Sequence, residues 1–185
     1  MKNLKFLFLC GAFCLLVSGL VAQSKKTDQQ MFKEGYVMKP SDICFAPPTE
    51  RFCPEEIRVY SIANRGKETI VTFIQPIYFN SQWLSYSPGF RIVDKKTGDI
   101  YKVRRYDGGL PMDRLLIVKG FNGKNILISL VFPKLKKKVK KIDILELPHE
   151  NQLVPSNDNG RPTSFYDVDV KEYLNRDKRS GKVYE

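Results

Sequence analysis

The spacing of turn signals most constrains the fold of this chain. Between residues 56 and 147, turns rich in Gly, Asn and Asp recur about every 8–12 residues, and short runs of β-branched and aromatic residues separate them. No stretch of about 11–18 residues in this region keeps an apolar period of 3.6 residues. The pattern favours an all-β sandwich over a helical or mixed domain.

Two hairpins lead this region. In each, a polar turn with a late glycine separates two apolar runs, at residues 64–67 and 94–99, because glycine permits the positive φ that reverses a chain. Pro76 should mark a bulge or an edge position, since it cannot donate to a ladder. A single helical turn is the alternative to a strand end at residues 170–176. The predicted strands are residues 57–62, 69–79, 89–93, 100–106, 115–118, 125–132, 139–147 and 164–170, the last of them at an edge.

The N-terminus predicts export. Lys2 and Lys5 precede an apolar run at residues 6–21, which is shorter than the roughly 20 residues that a membrane-spanning helix needs. Residues 1–22 therefore resemble a cleaved signal peptide. Its removal takes two of the 31 basic side chains and lowers the formal net charge from +11 to +9. The mature protein is expected to be basic, without a transmembrane span, and periplasmic or extracellular.

The mature chain of 163 residues (185 minus 22) has room for one ordinary core. Residues 23–39 are polar and basic, with too few apolar groups to offset the entropy of ordering, and are predicted to be a flexible leader. Residues 40–174 are predicted to be a single β-sandwich domain that begins with a proline-rich loop. Residues 175–185 are predicted to be a frayed tail.

Cys44 and Cys53 are the cysteines that remain after signal cleavage. In an oxidising compartment they are expected to form a disulfide that closes the N-terminal loop. A redox pair is the weaker alternative, because eight residues separate the two sulfurs and low-potential motifs keep them two residues apart.

A set of turn and core positions stands out in the middle of the chain. They are residues 68–73, Asp94, Thr97, Gly98, Tyr101, Phe132, Pro133, Val139, 142–144 and Glu146. With these residues, the region from Thr69 to Glu146 resembles a largely uncharacterised family of secreted immunoglobulin-like domains from gut-dwelling Gram-negative anaerobes. The resemblance covers about half of the chain and implies export and an immunoglobulin-like antiparallel β-sandwich of about seven to eight strands. It implies no activity, because each matching residue is a turn or core position.

Catalytic and metal-binding chemistry finds little support in the sequence. The single histidine, His149, lies in a proline-flanked turn, and one histidine with two cysteines makes an unconvincing zinc set. No Gly-x-Ser-x-Gly elbow is present for a Ser-His-Asp hydrolase. Asp167 and Asp169, two residues apart on a strand, fit an exposed face better than a glycosidase dyad. No cofactor and no metal site are predicted.

Six lysines lie within eight positions between two strands of the predicted sandwich. They are Lys134, Lys136, Lys137, Lys138, Lys140 and Lys141. One interpretation is a solvated hairpin tip. The other is an anion-binding patch for an anionic lipid surface or an acidic glycan, since lysines near such surfaces contribute about 1 kcal/mol each. Nucleic acid is the disfavoured partner for an exported protein.

Residues 80–89 hold the single tryptophan and are predicted to form a loop. Trp83 and Tyr86 either cap the core or form a candidate ligand platform, because aromatic side chains in loops at a sandwich end supply contact area at small entropic cost.

The leading functional hypothesis is a secreted, non-enzymatic binding or structural module of the cell envelope. An envelope protein, an acidic glycan or an anionic lipid surface is the expected partner. One alternative is an envelope enzyme that acts on glycan or peptide, with Asp167, Asp169 or His149 taking part. Another is an adhesin or assembly subunit that pairs through the edge strand at residues 164–170.

Overall fold

The computed structural model describes residues 34–54, 56–86, 88–147 and 163–174. This part of the chain contains twelve β-strands, a 3-10 turn at Pro40–Asp42 and one short helix. The predicted signal peptide, the predicted tail and His149 lie outside the described residues. The elements are β1 Tyr36–Val37, β2 Cys44–Phe45, β3 Arg58–Arg65, β4 Glu68–Ile77, β5 Ser81–Leu84, β6 Phe90–Asp94, β7 Ile100–Lys102, β8 Arg105–Tyr106, β9 Leu116–Lys119, β10 Lys124–Pro133, β11 Lys141–Glu146, β12 Ser164–Asp169 and α1 Val170–Tyr173.

The strands form three open sheets. Sheet A has the order β1-β9-β5, sheet B the order β2-β10-β4-β3, and sheet C the order β12-β11-β6-β7. Strand β8 also pairs with β10, along the half that β2 leaves open. The named strands pair antiparallel except β1 with β9. The described chain is therefore an all-β fold.

One apolar core joins the three sheets. Along β11 and the first part of β10, buried residues alternate with more exposed ones, as the period of two in a β-strand requires. Sheet A contributes Leu84 and Val118, and sheet C contributes Phe90 and Ile144. They pack in the same cluster as Phe73 of sheet B, which is fully buried.

The hairpins predicted from the turn signals are confirmed, as β3 with β4 and β6 with β7. Strands β10 and β11 and the edge strand β12 also lie where the sequence predicted them, and α1 forms the helical turn. Beside Pro76, β4 has a neighbour on one side, because its pairing with β3 begins at Ile74. This local edge accommodates the missing N–H and confirms the predicted edge position.

Three details differ from the sequence prediction. The segment predicted as a loop at residues 80–89 contains β5, which pairs with β9. The end of the predicted flexible leader contains β1, held by N–H groups of Tyr36 and Met38 that donate to carbonyls of Leu115 and Ile117. The predicted strand at residues 100–106 divides into β7 and β8, which join different sheets.

The predicted disulfide between Cys44 and Cys53 is absent from the structure. Cys44 lies on β2 opposite Leu127 of β10, whereas the Cys53 sulfur lies 3.9 Å from Nη1 of Arg58 on β3. Strands β10 and β4 separate β2 from β3. The intervening loop thus runs between opposite edges of sheet B instead of closing on itself, whereas a disulfide requires Cα atoms within about 7 Å.

Candidate functional site

The six predicted lysines belong to a connection whose backbone is anchored in the protein. We call residues 134–141, between β10 and the start of β11, the lysine connection. Leu135 and Val139 are buried within it, while all six lysines are exposed. The Leu135 N–H donates to Oγ1 of Thr69 at 2.9 Å, and the Val139 N–H donates to the Lys136 carbonyl at 3.0 Å. The lysines therefore project from a supported turn.

Two of the lysines are engaged within the protein. The Lys134 ammonium donates to the Gly66 carbonyl at 2.7 Å, and Lys136 forms an ion pair with Asp99. Within the described residues, the other four ammonium groups form no ion pair or hydrogen bond. These groups belong to Lys137, Lys138, Lys140 and Lys141.

Three carboxylates near the lysine connection, Asp99, Asp143 and Asp167, are already paired with lysines. The Lys136 hydrogen bond lowers the pKa of Asp99, and the same bond raises the pKa of Lys136. Lys95 lies 3.2 Å from Asp167 and 3.5 Å from Asp143, and chiefly the Asp167 hydrogen bond raises the pKa of Lys95. Each shift favours the charged forms, so these pairs persist at neutral pH. The free positive charge at this end of the molecule belongs to the lysine connection and the turns beside it.

Two further turns bring lysines to the same end. The Lys67 carbonyl, in the β3–β4 turn, accepts from the Lys134 N–H at 3.1 Å. The Lys95 N–H, in the β6–β7 turn, donates to the Lys141 carbonyl at 3.1 Å. We call the lysine connection with these two turns the basic end. Such a surface attracts anions by electrostatics.

The two aromatic candidates differ in their exposure. Trp83 is half-buried on β5, opposite Ile117 of β9. Tyr86 is buried in the core, where its hydroxyl donates to Oε1 of Gln75 at 2.9 Å and its ring stacks on Phe90 at 5.8 Å. The structure therefore places Tyr86 out of reach of a surface ligand and keeps Trp83 partly accessible.

The two aspartates considered for catalysis have structural partners. Asp167 pairs with Lys95, and its N–H donates to Oδ1 of Asp143 at 2.9 Å. Asp169 accepts from the Lys171 N–H at 2.9 Å and so caps α1. No group of three or more His, Cys, Asp or Glu side chains within the described ranges is placed to hold a metal ion.

Sequence reasoning did not bring together three aromatic residues that lie at the opposite end of β10. Phe45 is 42% exposed and its ring packs edge-on against Phe121 at 5.4 Å, while Phe79 is 59% exposed. These aromatic residues belong to three segments that are distant in sequence. The segments are the end of β2 with residues 46–57, residues 78–80 and residues 120–123. The available signal was the density of aromatic and proline residues in turn-rich segments.

Comparison with known proteins assigns no function to this chain. No family model, curated protein or solved structure matches this chain. In the described part of the chain, the helix is too short and too polar to cross a bilayer.

Proposed function

We propose that this protein is a secreted, non-enzymatic binding module of the cell envelope, built on an immunoglobulin-like sandwich. Its contact is the basic end, and its partner is an anionic lipid surface. The observation that carries the proposal is a group of four exposed ammonium groups that form no ion pair with any described residue and that project from an anchored connection. The core shared by three mainly antiparallel sheets supports the proposed fold. The signal pattern at the N-terminus supports export.

The anchoring of the connection favours binding over simple solvation. A freely moving lysine tail loses much side-chain and backbone entropy when it is held at a surface. Here the backbone is already ordered by Leu135, Val139 and the hydrogen bond to Thr69, so that cost is small. Each lysine held near an anionic leaflet contributes about 1 kcal/mol. Three lysines together correspond to an affinity change of roughly a hundredfold.

The test is sedimentation of the mature protein with phosphatidylcholine vesicles, with and without phosphatidylglycerol, at low and high salt. We expect binding that requires phosphatidylglycerol and weakens as salt is added. The variant K137S/K138S/K140S should bind roughly a hundredfold more weakly. The control K39S/K102S/K119S removes the same number of exposed lysines elsewhere and should bind like the parent.

Two outcomes contradict the proposal. Equal binding to neutral and anionic vesicles would remove the electrostatic contact. Equal loss of binding in the two triple variants would show that net charge alone, and not the basic end, governs the interaction.

A further inference from the structure

A cleft lies at the end of sheet B that is opposite to the basic end. The β4–β5 and β9–β10 connections meet here, because the Gly123 N–H donates to the Ile77 carbonyl at 2.6 Å and the Gly120 N–H to the Asn80 carbonyl at 2.8 Å. The β2–β3 loop joins them through the Ala46 N–H, which donates to the Asn125 carbonyl at 3.0 Å. We call these three connections the aromatic end. Strand β10, with ten residues, places it about 30 Å from the basic end.

The cleft has the size and lining of a ligand site. Its volume is about 590 Å³, within the range of pockets that hold small ligands. Aromatic and proline side chains supply its apolar surface, and four polar side chains interrupt that surface. The apolar residues are Phe45, Pro47, Pro48 and Phe52, and the polar ones are Glu50, Arg51, Lys124 and Asn125.

The wall of the cleft is held in place before any ligand arrives. The Asn125 side-chain amide donates to the carbonyls of Glu50 and Arg51, each at 3.1 Å, and thereby ties the β2–β3 loop to β10. The Glu50 N–H donates to the Pro47 carbonyl at 2.9 Å within the loop. A ligand would therefore meet an ordered wall, which reduces the entropic cost of binding.

The same hydrogen bonds argue against an added peptide strand. Strand addition needs unpaired backbone N–H and C=O groups along the site. Here the N–H groups of Ala46 and Glu50 are used internally, and Pro47 and Pro48 have none. Recognition must rely on side chains, namely aromatic faces together with charged and amide groups.

The charges in the cleft favour an acidic ligand. Arg51 and Lys124 are exposed and form no ion pair with any residue in the described ranges. The cleft lining thus holds two cations and one carboxylate, Glu50. Arginine and lysine bind carboxylates by charge-assisted hydrogen bonds. A sugar acid combines a carboxylate for these two cations with an apolar C–H face for an aromatic ring.

We propose that this cleft binds an acidic oligosaccharide. A sugar carboxylate lies between Arg51 and Lys124, and the face of a sugar ring packs on Phe45. The site is separate from the proposed lipid contact and does not depend on it, because the two lie at opposite ends of β10.

The test is isothermal titration calorimetry of the mature protein with trigalacturonate and, as the neutral probe, maltotriose. We expect trigalacturonate to bind more tightly than maltotriose. R51Q/K124Q should lower the affinity for trigalacturonate at least about tenfold, because both charged contacts are lost. F45A should weaken the binding of trigalacturonate as well, whereas the control F79A, at an exposed aromatic outside the cleft lining, should leave it unchanged.

The residues replaced in R51Q/K124Q are exposed, so a loss of binding in this variant would not reflect a loss of folding. Arg51 and Lys124 are both at the surface, so R51Q/K124Q should unfold at the same temperature as the parent. Absence of trigalacturonate binding overturns the proposal, as does binding of a proline-rich peptide in its place. Loss of binding in K137S/K138S/K140S, with retention in R51Q/K124Q, would assign the sugar to the basic end and also overturns it. The vesicle assay, repeated with R51Q/K124Q, should give parental binding and thus separates the two proposals.

Discussion

Two of the buried tyrosines lie next to each other in the core. Tyr86 and Tyr106 are almost fully buried, with ring centroids 6.1 Å apart. Burial raises the pKa of both hydroxyls, strongly for Tyr86, and the nearby charge of Glu146 adds to the shift. Burial favours the neutral hydroxyl in the folded state but not in the unfolded chain. The contribution of these tyrosines to folding stability is therefore fully present below about pH 10, the pKa of tyrosine in an unfolded chain. It decreases as the pH rises further.

Alkaline titration should therefore show two classes of tyrosine. We expect Tyr86 and Tyr106 to remain protonated while the protein is folded, and to ionise together with unfolding above pH 10. Tyrosinate absorbance and far-ultraviolet circular dichroism, followed in parallel, measure this. Y86F should lower by one the number of tyrosines that ionise together with unfolding above pH 10. Ionisation of every tyrosine near pH 10, with an unchanged circular dichroism spectrum, would contradict the prediction.

Thr69 couples the β3–β4 hairpin to the lysine connection. Its buried hydroxyl donates to Oδ1 of Asn64 at 2.7 Å and accepts from the Leu135 N–H at 2.9 Å. Thr69→Val keeps the shape but leaves a buried N–H without a partner, so we expect a loss of about 1–3 kcal/mol in the free energy of unfolding. Thr69→Ser retains the hydroxyl and should lose less. Urea titration of both variants decides the point, and an equal loss in Thr69→Ser would assign the effect to the methyl group.

At the scale of elements, the β6–β7 turn depends on one buried aspartate. Asp94 accepts from the Lys96 N–H at 3.0 Å and from the Thr97 hydroxyl at 2.7 Å, and Gly98 takes the positive φ of 73° that closes the turn. Asp94→Ala removes both acceptors, so we expect a loss of about 1–3 kcal/mol in the free energy of unfolding. Asp94→Asn retains one acceptor oxygen and should lose less. Chemical denaturation of both variants is the measurement, and equal stability of Asp94→Ala and the parent would exclude the proposed role of these bonds.

The sequence predicted the elements whose formation depends on a short, local sequence pattern. The hairpins at β3–β4 and β6–β7 each join two apolar runs through a turn with a positive-φ glycine, Gly66 or Gly98, and this pattern is visible in a few residues. Sheet A contains no such local hairpin pattern. Its strands β5 and β1 both pair with β9, far along the chain, and Ser81–Leu84 mixes polar and apolar residues. Pairing and burial, which a local pattern does not contain, stabilise β5.

The same distinction applies to the candidate sites. The six lysines are contiguous, so their clustering is evident from the sequence alone. Their anchoring by Leu135 and Val139 is a tertiary effect, because it depends on packing into the common core. The cleft at the aromatic end combines the β2–β3 loop with Gly123, Lys124 and Asn125, and only the pairing of β2 with β10 brings these segments together.

At the scale of the whole molecule, the shared core makes the three sheets interdependent. Buried residues of sheets A, B and C belong to one cluster, and the β4–β5 and β9–β10 turns carry sheet B directly into sheet A. Removal of one sheet would expose the apolar faces of the others, which costs about 25 cal/mol per Å². We therefore expect unfolding to be a single cooperative transition.

The single tryptophan allows this cooperativity to be measured. Trp83 reports on β5 of sheet A, whereas far-ultraviolet circular dichroism reports on the backbone of all three sheets. In urea we expect the two signals to change with the same midpoint and slope. Phe132→Leu, which alters a fully buried side chain of sheet B far from Trp83 in sequence, should lower both midpoints equally. A fluorescence transition that precedes the circular dichroism transition would show that sheet A unfolds independently, and a shift confined to one signal in Phe132→Leu would lead to the same conclusion.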